Sequence, residues 1–337
     1  HEDAQDDLIA SERWIGRTIG DITIQRVIGT GGMGAVFEGV QKSPRRSVAV
    51  KIMRDAISSA RALRRFEYEA QTLGRMDHPG IAKIHAAEVL DEHGIKIPYF
   101  VMEFIKGART LLAYAKEKKL NTTQRLELFQ TVCDAIAHAH RKGIVHRDLK
   151  PANVLIDSKG RVQIIDFGIA RSVDSDQTAT MYQTLSGQLI GTPRYMAPEQ
   201  FAHVEDLDVR VDVYALGILL YELLCHQPPY EVPADTLEAE RVIRTVEPTR
   251  PSTVERALRG DLEAILLKAL EKDRDVRYRD AAALGDDLGR YLRDEPIEAQ
   301  PPTLIYTLRK AARRNRPLAG AALVALIVIV AAAIVST

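Results

Sequence analysis

The sequence predicts an α+β fold of two lobes, a small strand-rich one followed by a larger helical one, with a separate apolar segment near the end. Three observations carry this reading. Between 21 and 105, β-branched and apolar residues fall in four runs of strand character, two of them clearly alternating with polar ones. From Thr122 onward the apolar residues recur at helical spacing. The stretch 318–335 carries no charged residue. Strands first and helices later argue for two segregated layers.

The elements follow in order. Residues 1–20 are polar and acid-rich without a clear period, so a mobile tail is expected. DITIQRVIGTGGMGAVFEGV and RRSVAVKIM read as strands. SSARALRRFEYEAQTLGRM has helical spacing, with Leu63, Phe66, Ala70 and Leu73 on one face. IAKIHAAEVL and IPYFVMEFI read as two further strands. Helices are expected at TQRLELFQTVCDAIAHAHRKG, DVYALGILLYELLC, DLEAILLKALEKD and DAAALGDDLGRYL. ARSVDSDQTATMYQTLSGQLIG is too long and polar for an ordinary connection. The Pro-rich DEPIEAQPPT closes the globular part. The expected limits are a tail at 1–20, a globular unit at 21–296 divided near 105, a basic segment at 297–317 and the apolar segment at 318–335.

Composition bounds the function. Lys and Arg number 46 and Asp and Glu 46, so net charge implies no nucleic-acid partner. Cys133 and Cys225 both lie in apolar, helix-like stretches, which suits buried free thiols in a reducing compartment. The eighteen residues of 318–335 would make a helix of roughly 27 Å, close to the ~30 Å hydrocarbon core of a bilayer. A transmembrane helix is therefore expected. Arg309, Lys310, Arg313, Arg314 and Arg316 precede it, and no acidic residue follows Glu298, which places everything upstream in the cytoplasm. The start at His1 rather than Met, and the stop at Thr337 just past the apolar run, raise the expectation of a start removed or left out and of an outer domain beyond.

Several polar residues sit where simple connections would not need them. Gly29, Gly31 and Gly34 form a G-x-G-x-x-G between two strands, where glycine lets backbone N–H groups approach phosphates. Dinucleotide-binding folds and plain hairpins share the pattern, but no helix follows directly, which argues against the former. Lys51 ends the alternating run VAVK and suits a polyphosphate. Glu69, in the helix that follows, is its candidate carboxylate partner, while Glu67 turns away from Ala70 and Leu73. In isolation Lys51 reads as a surface lysine and Glu69 as a solvated helix residue. HRDLKPAN and VQIIDFGIA then bring Asp148, Lys150, Asn153 and Asp166 onto separate segments between apolar runs. Asn153 and Asp166 offer the oxygens that Mg²⁺ prefers. Asp148 is free to take a proton from an attacking hydroxyl, and Lys150 to balance phosphate charge.

With GTGGMGAV, VAVK, HRDLKPAN, DFG and APE in that order, the chain resembles the eukaryotic-like Ser/Thr protein kinases over roughly 21–293. RYMAPEQ, DVYALG and DEPIEAQPP look like bacterial membrane-anchored members. The resemblance implies a bilobal protein-kinase fold that uses ATP and Mg²⁺, with Mn²⁺ as an alternative, to phosphorylate Ser and Thr hydroxyls of protein substrates. It implies that Gly29, Gly31 and Gly34 cover the ATP phosphates, with Ile28 and Gly32 also in the ATP site. Lys51 would contact the α- and β-phosphates and pair with Glu69. Val36 and Ala49 would roof the adenine and Leu155 floor it, with Met102 as gatekeeper and the backbone at Glu103 and Ile105 reading its edge. Asp148 would be the catalytic base, Lys150 the γ-phosphate neutraliser, and Asn153 and Asp166 the metal ligands. Leu73, Ile84, His146 and Phe167 would stack as an internal spine tied to Asp212, and Glu199 would pair with Arg277. Thr192 would support the site. Thr184 and Ser186, with Thr178 and Thr180 nearby, would be autophosphorylated and gripped by Arg147. The resemblance also suggests a single-pass protein of the plasma membrane and a homodimer through the small lobe. The rival reading is a nucleotide-binding scaffold without turnover; a small-molecule kinase is weakened by APE and the long segment before it.

Overall fold

A computed structural model describes residues 12–31, 34–54, 56–57, 59–167, 193–201, 207–233, 235–301, 303, 306–308 and 310, without the side chains of Arg65 and Glu69. The small lobe is an antiparallel sheet of β1 (Thr18–Ile19), β2 (Ile22–Gly31), β3 (Gly34–Gln41), β4 (Arg46–Met53), β5 (Ile84–Glu92) and β6 (Ile95–Glu103), in the order β1-β2-β3-β4-β6-β5. Side chains alternate across a strand. Ile22, Ile24, Phe37, Val48, Val50 and Ile52 therefore share one buried face with Trp14 and Val101. Ala49, Met53, Phe100 and Met102 take the other face and join the main core. Lys51 lies on that second face between Ala49 and Met53, and is only 7% exposed. A one-residue slip in register would turn it to the wrong side.

Helix α1 (Ala60–Gly74) covers the second face. Ser59 caps it by accepting the Ala62 N–H at 3.1 Å. Phe66 and Leu73 are buried, Leu63 and Ala70 pack against the same core, and Glu67 is exposed. The Phe66 ring meets Phe100 edge-on, with centroids 5.0 Å apart.

The large lobe holds α2 (Leu111–Glu117), α3 (Thr122–Arg141), α4 (Arg210–Cys225), α5 (Thr236–Thr245), α6 (Pro251–Val254), α7 (Asp261–Ala269) and α8 (Ala281–Leu292). A small sheet, β7 (Arg109–Thr110), β8 (Val154–Ile156) and β9 (Val162–Ile164), lies at the cleft side. Every residue of α4 after Arg210 is buried, as expected of a helix apolar nearly all round, and α2, α3, α6, α7 and α8 pack about it. Gly217 allows α7 to approach: a Cβ there would meet the Ala269 Cβ at 3.0 Å. Cys133 and Cys225 are free and buried, and burial pushes the Cys225 thiol up to about 11.

Some expectations differ from what the structure shows. The described part of the expected tail is not loose: β1 pairs with β2, Ile19 is 2% exposed, and Trp14 is buried with Arg13 and Arg17 guanidiniums 5.2 and 4.7 Å from its ring. Two apolar anchors among charges gave no period to read. The core also runs past 296. Ile297 is buried, and Asp287 accepts the Glu298 and Ala299 N–H groups at 2.6 and 2.9 Å. The strand expected to end in Asp166 stops at Ile164. Helices α2 and α5 differ from the expected set: α2 spans only seven residues, too few to show a period, and α5 is mostly polar. Among the described residues no helix is long and apolar enough to cross a membrane. The stretch 318–335, on which the membrane expectation falls, lies outside the described residues.

Candidate active site

The loop between α3 and β8 is built around Asp212, in the first turn of α4. Its carboxylate is 1% exposed and accepts the His146 and Arg147 N–H groups, each at 2.8 Å, and His140 Nε2 at 2.9 Å. Burial alone would raise this carboxyl, but the hydrogen bond and charge of His140, with the hydrogen bond from the His146 N–H, hold it below the usual carboxylate value. The bonds fix Arg147 at φ 63°, a left-handed conformation that a non-glycine residue rarely adopts. That twist carries the chain from the buried His146 to the half-exposed Asp148.

His146 is fully buried. Its Nε2 donates to the Ile165 carbonyl at 2.9 Å, and its Nδ1 accepts the Asp148 N–H at 3.3 Å. Burial lowers its pKa, so the ring is neutral and has no proton to exchange with a substrate. Phe167 stacks on it at 4.6 Å, and Leu73 and Ile84 belong to the same core.

Asp148 faces outward with its neighbours in register. Lys150 Nζ donates to Asp148 Oδ2 at 2.9 Å. Asn153 Nδ2 donates to the Asp148 carbonyl at 2.8 Å and to Oδ2 at 3.3 Å. Both bonds fall on Oδ2, which leaves Oδ1 as the acceptor for an incoming hydroxyl. Asp166 also has a left-handed backbone, φ 58°. Lys51 Nζ lies 2.9 Å from Asp166 Oδ1 without the alignment of a hydrogen bond, so this buried oxygen keeps acceptor capacity. The two lobes thus meet at an ion pair, one partner from β4 and the other beyond β9. The expected Lys51–Glu69 pair rests on a side chain outside the described residues.

The small-lobe wall has the shape a nucleotide needs. Val36 pairs in register with Lys51, and Ala49 with Met102, so Val36, Ala49 and Met102 line the approach to Lys51. Leu155 is half-buried on β8, in the small sheet of the large lobe. The Glu103 N–H is taken by the Lys83 carbonyl at 2.8 Å, which assigns any base contact at Glu103 to its carbonyl. Gly34 has φ 141°, and a Cβ there would stand 2.1 Å from the Ile52 carbonyl oxygen, so the chain itself demands glycine. At Gly29 and Gly31 a Cβ would meet nothing within 4 Å. Glycine there is not required by packing, and open space above them suits a ligand. Ile28 is 39% exposed on the same strand. Gly32 lies outside the described residues.

Among the described residues no group of three or more His, Cys, Asp or Glu could hold a metal ion. A divalent cation at Asp166 and Asn153 would need further oxygens from a bound polyphosphate, which is the habit of Mg²⁺. The free capacity of Asp166 Oδ1 fits that use.

Farther out, Arg277 is 4% exposed and grips Glu199 with two bonds of 2.6 and 2.7 Å, while also reaching the Glu271, Arg210 and Lys272 carbonyls. Arg147 is exposed, and its carbonyl accepts from Gln200 Nε2 at 3.3 Å. Thr178, Thr180, Thr184, Ser186 and Thr192 lie outside the described residues. Sequence reasoning missed His140 and Gln200, which tie the Arg147 loop to α3 and to the segment after 193. Only the HAH spacing before the loop hinted at the former.

The protein kinase domain family matches residues 22–286. Over 274 residues the chain is 37% identical to the probable serine/threonine-protein kinase SCO3848 of Streptomyces coelicolor, covering 81% of this chain and 40% of the relative. It is 35% identical to the serine/threonine-protein kinase PknB of Mycobacterium tuberculosis, covering 81% of this chain and 43% of that one. The chain thus spans about two-fifths of the length of these curated relatives. In fold it is similar to the crystal structure of the M. tuberculosis PknI kinase domain, with a TM-score of 0.62, 23% identity, and coverage of 82% of this chain and 97% of that domain.

Proposed function

Since the chain belongs to the protein kinase family, we propose that it transfers the γ-phosphoryl group of ATP to Ser and Thr hydroxyls of protein substrates. The observation that carries this is the Asp148 carboxylate, with Lys150 and Asn153 on one oxygen and the other free, held opposite the Lys51–Asp166 pair. Lys51 would bind the α- and β-phosphates, and the backbone at Gly29 and Gly31 would lie over them. A divalent cation held by Asp166 and Asn153 would bridge and neutralise phosphate oxygens. Asp148 Oδ1 would orient the acceptor hydroxyl and take its proton, while Lys150 offsets charge on the transferred group. Each position the resemblance assigns to turnover carries a competent residue, which favours an active enzyme over a scaffold.

Further parts of the proposal rest on sequence. The 170–191 segment would be autophosphorylated at Thr184 or Ser186, with Arg147 as the phosphate's partner. The apolar 318–335 would anchor the chain in the plasma membrane with the catalytic lobes in the cytoplasm. The resemblance to membrane-anchored kinases supports this and suggests pairing through the small lobe.

The test is incubation with Mg-ATP and a protein substrate, followed by acid hydrolysis. Phosphoserine and phosphothreonine appearing with equimolar ADP are expected. Phosphotyrosine alone, or no ADP, contradicts the reading.

A further inference from the structure

On the large lobe, away from the cleft, Arg250, Arg256 and Arg259 line a cavity of about 480 Å³ with Ser252, Thr253, Val254 and Glu263. All three arginines are exposed, and none has an ion pair among the described residues. Elsewhere on this lobe the exposed arginines commonly find carboxylates, as Arg241 does with Glu238, Arg244 with Glu240 and Arg293 with Glu295. Glu263, the one carboxylate lining the cavity among the described residues, accepts the Ser252 N–H at 2.9 Å. Three positive charges against one negative are thus gathered around one opening, a balance that attracts an anion. Guanidinium forks fit phosphate oxygens in particular.

The position of the cleft relative to the chain's end points to the source of that anion. Arg259 is two residues before Asp261, the first residue of α7. Asp261 holds Lys310 Nζ at 2.6 Å, and Lys310 is 5% exposed, over the Tyr291 ring. The chain leading toward the apolar segment is strapped down on the way: Lys268 pairs with Glu298 at 2.8 Å, and the Ile297 N–H donates to the Tyr306 hydroxyl at 3.1 Å. Lys310 is therefore committed to the protein. Only seven residues lie between it and Leu318, so the eight steps span at most roughly 26–29 Å when fully extended. The arginine cleft cannot travel far from the bilayer.

We propose that the cleft of Arg250, Arg256 and Arg259 docks the large lobe on the phosphate headgroups of anionic lipid in the membrane that 318–335 enters. This rests on the membrane reading of that segment. The short tether favours lipid over a phosphopeptide, since headgroups are always within reach and the lining offers only Val254 to read an apolar side chain. Docking fixes which way the catalytic cleft faces and so which substrates can reach it. Each arginine at an anionic surface should favour the docked state by roughly fivefold, so three give about a hundredfold. Screening within a Debye length of about 8 Å makes the effect sensitive to salt.

The experiment uses the full chain carrying Thr253→Cys. Cys133 and Cys225 are buried, so one exposed thiol takes an environment-sensitive fluorophore. The labelled chain is reconstituted in vesicles of phosphatidylcholine, or of phosphatidylcholine with phosphatidylglycerol, each bearing a headgroup quencher. Retention after a carbonate wash reads the anchor separately. Quenching in the anionic vesicles alone is expected, lost at high salt and in R250Q/R256Q/R259Q, with phosphotransfer in detergent unchanged. Retention with equal quenching in neutral and anionic vesicles, or with quenching that survives the triple substitution, overturns the docking while leaving the anchor intact. So does retention without quenching, or displacement of the label's signal by a soluble phosphopeptide but not by lipid. Loss from the vesicles in the carbonate wash overturns the anchor reading and the docking with it.

Discussion

Replacing Asp212 by Asn tests whether the catalytic loop is held by the bonds seen here. Three donors converge on this carboxylate: the His146 and Arg147 N–H groups and His140 Nε2. Asn offers one oxygen and one NH₂. In its least costly orientation the NH₂ faces the Arg147 N–H, orphaning one buried donor at about 1–3 kcal/mol. The two bonds that remain lose charge assistance, about 1 kcal/mol each. The sum is about 3–5 kcal/mol, and the easier burial of a neutral amide pulls it toward the lower end. That is a large part of a domain stability of about 5–15 kcal/mol. Turnover should fall as well, because Arg147 is released from its left-handed conformation and Asp148 follows it. The pH dependence supplies a second readout. The folded pKa of Asp212 lies below its unfolded value, so its contribution is present above about pH 4 and fades as pH falls through the folded value. The gap between parent and variant should narrow in acid. Guanidinium unfolding followed by circular dichroism, beside a phosphotransfer assay, measures both. A loss below about 1 kcal/mol with unchanged turnover refutes the role given to Asp212.

Four further outcomes are expected. Asp148→Asn should unfold within about 1 kcal/mol of the parent yet lose roughly 10²–10⁴-fold in turnover; comparing melting with ADP release decides it. Gly34→Ala should destabilise the small lobe, since the new Cβ meets the Ile52 carbonyl, whereas Gly29→Ala should fold normally and raise the KM for ATP; thermal melts with kinetics distinguish them. Arg277→Met should cost about 3–5 kcal/mol by stranding Glu199, and a second change, Glu199→Leu, should recover much of it; a double-substitution cycle in denaturant reads this. Burial holds the His146 pKa below its unfolded value, so its contribution is complete above about pH 6.5 and is lost as pH falls toward the folded value; His146→Phe should flatten the acid side of a melting-temperature profile.

Much of this architecture was legible because period is legible. The alternation in VAVK put Lys51 on the same face as Ala49, and burial in the structure follows that face. The stripe of Leu63, Phe66, Ala70 and Leu73 was readable for the same reason. Asp148, Lys150, Asn153 and Asp166 stood out as polar groups between apolar runs, and their meeting in space depends on two left-handed residues that no local pattern announces. The tie of Asp212 to His146 came from the resemblance alone, because Asp212 lies 66 residues away and by local pattern reads as a helix-start acid. Trp14, Ile297 and Lys310 escaped for a different reason: single anchors in polar segments have no period, and only the partner surface reveals them. Glu199 and Arg277 are individually ordinary charges, and their pairing came from the resemblance alone; its two-bond geometry is seen only in the structure.

The central claim is phosphoryl transfer by Asp148 to hydroxyl groups, and the intact mass of the chain after incubation with Mg-ATP tests it most directly. The parent should gain phosphates on Ser and Thr, with ADP released in step, and peptide mapping should place them within 170–191. The Asp148→Asn chain under the same conditions should gain almost none while still binding nucleotide. A parent chain that binds Mg-ATP yet gains no phosphate and releases no ADP would contradict the account, and would mark the molecule as a nucleotide-responsive scaffold.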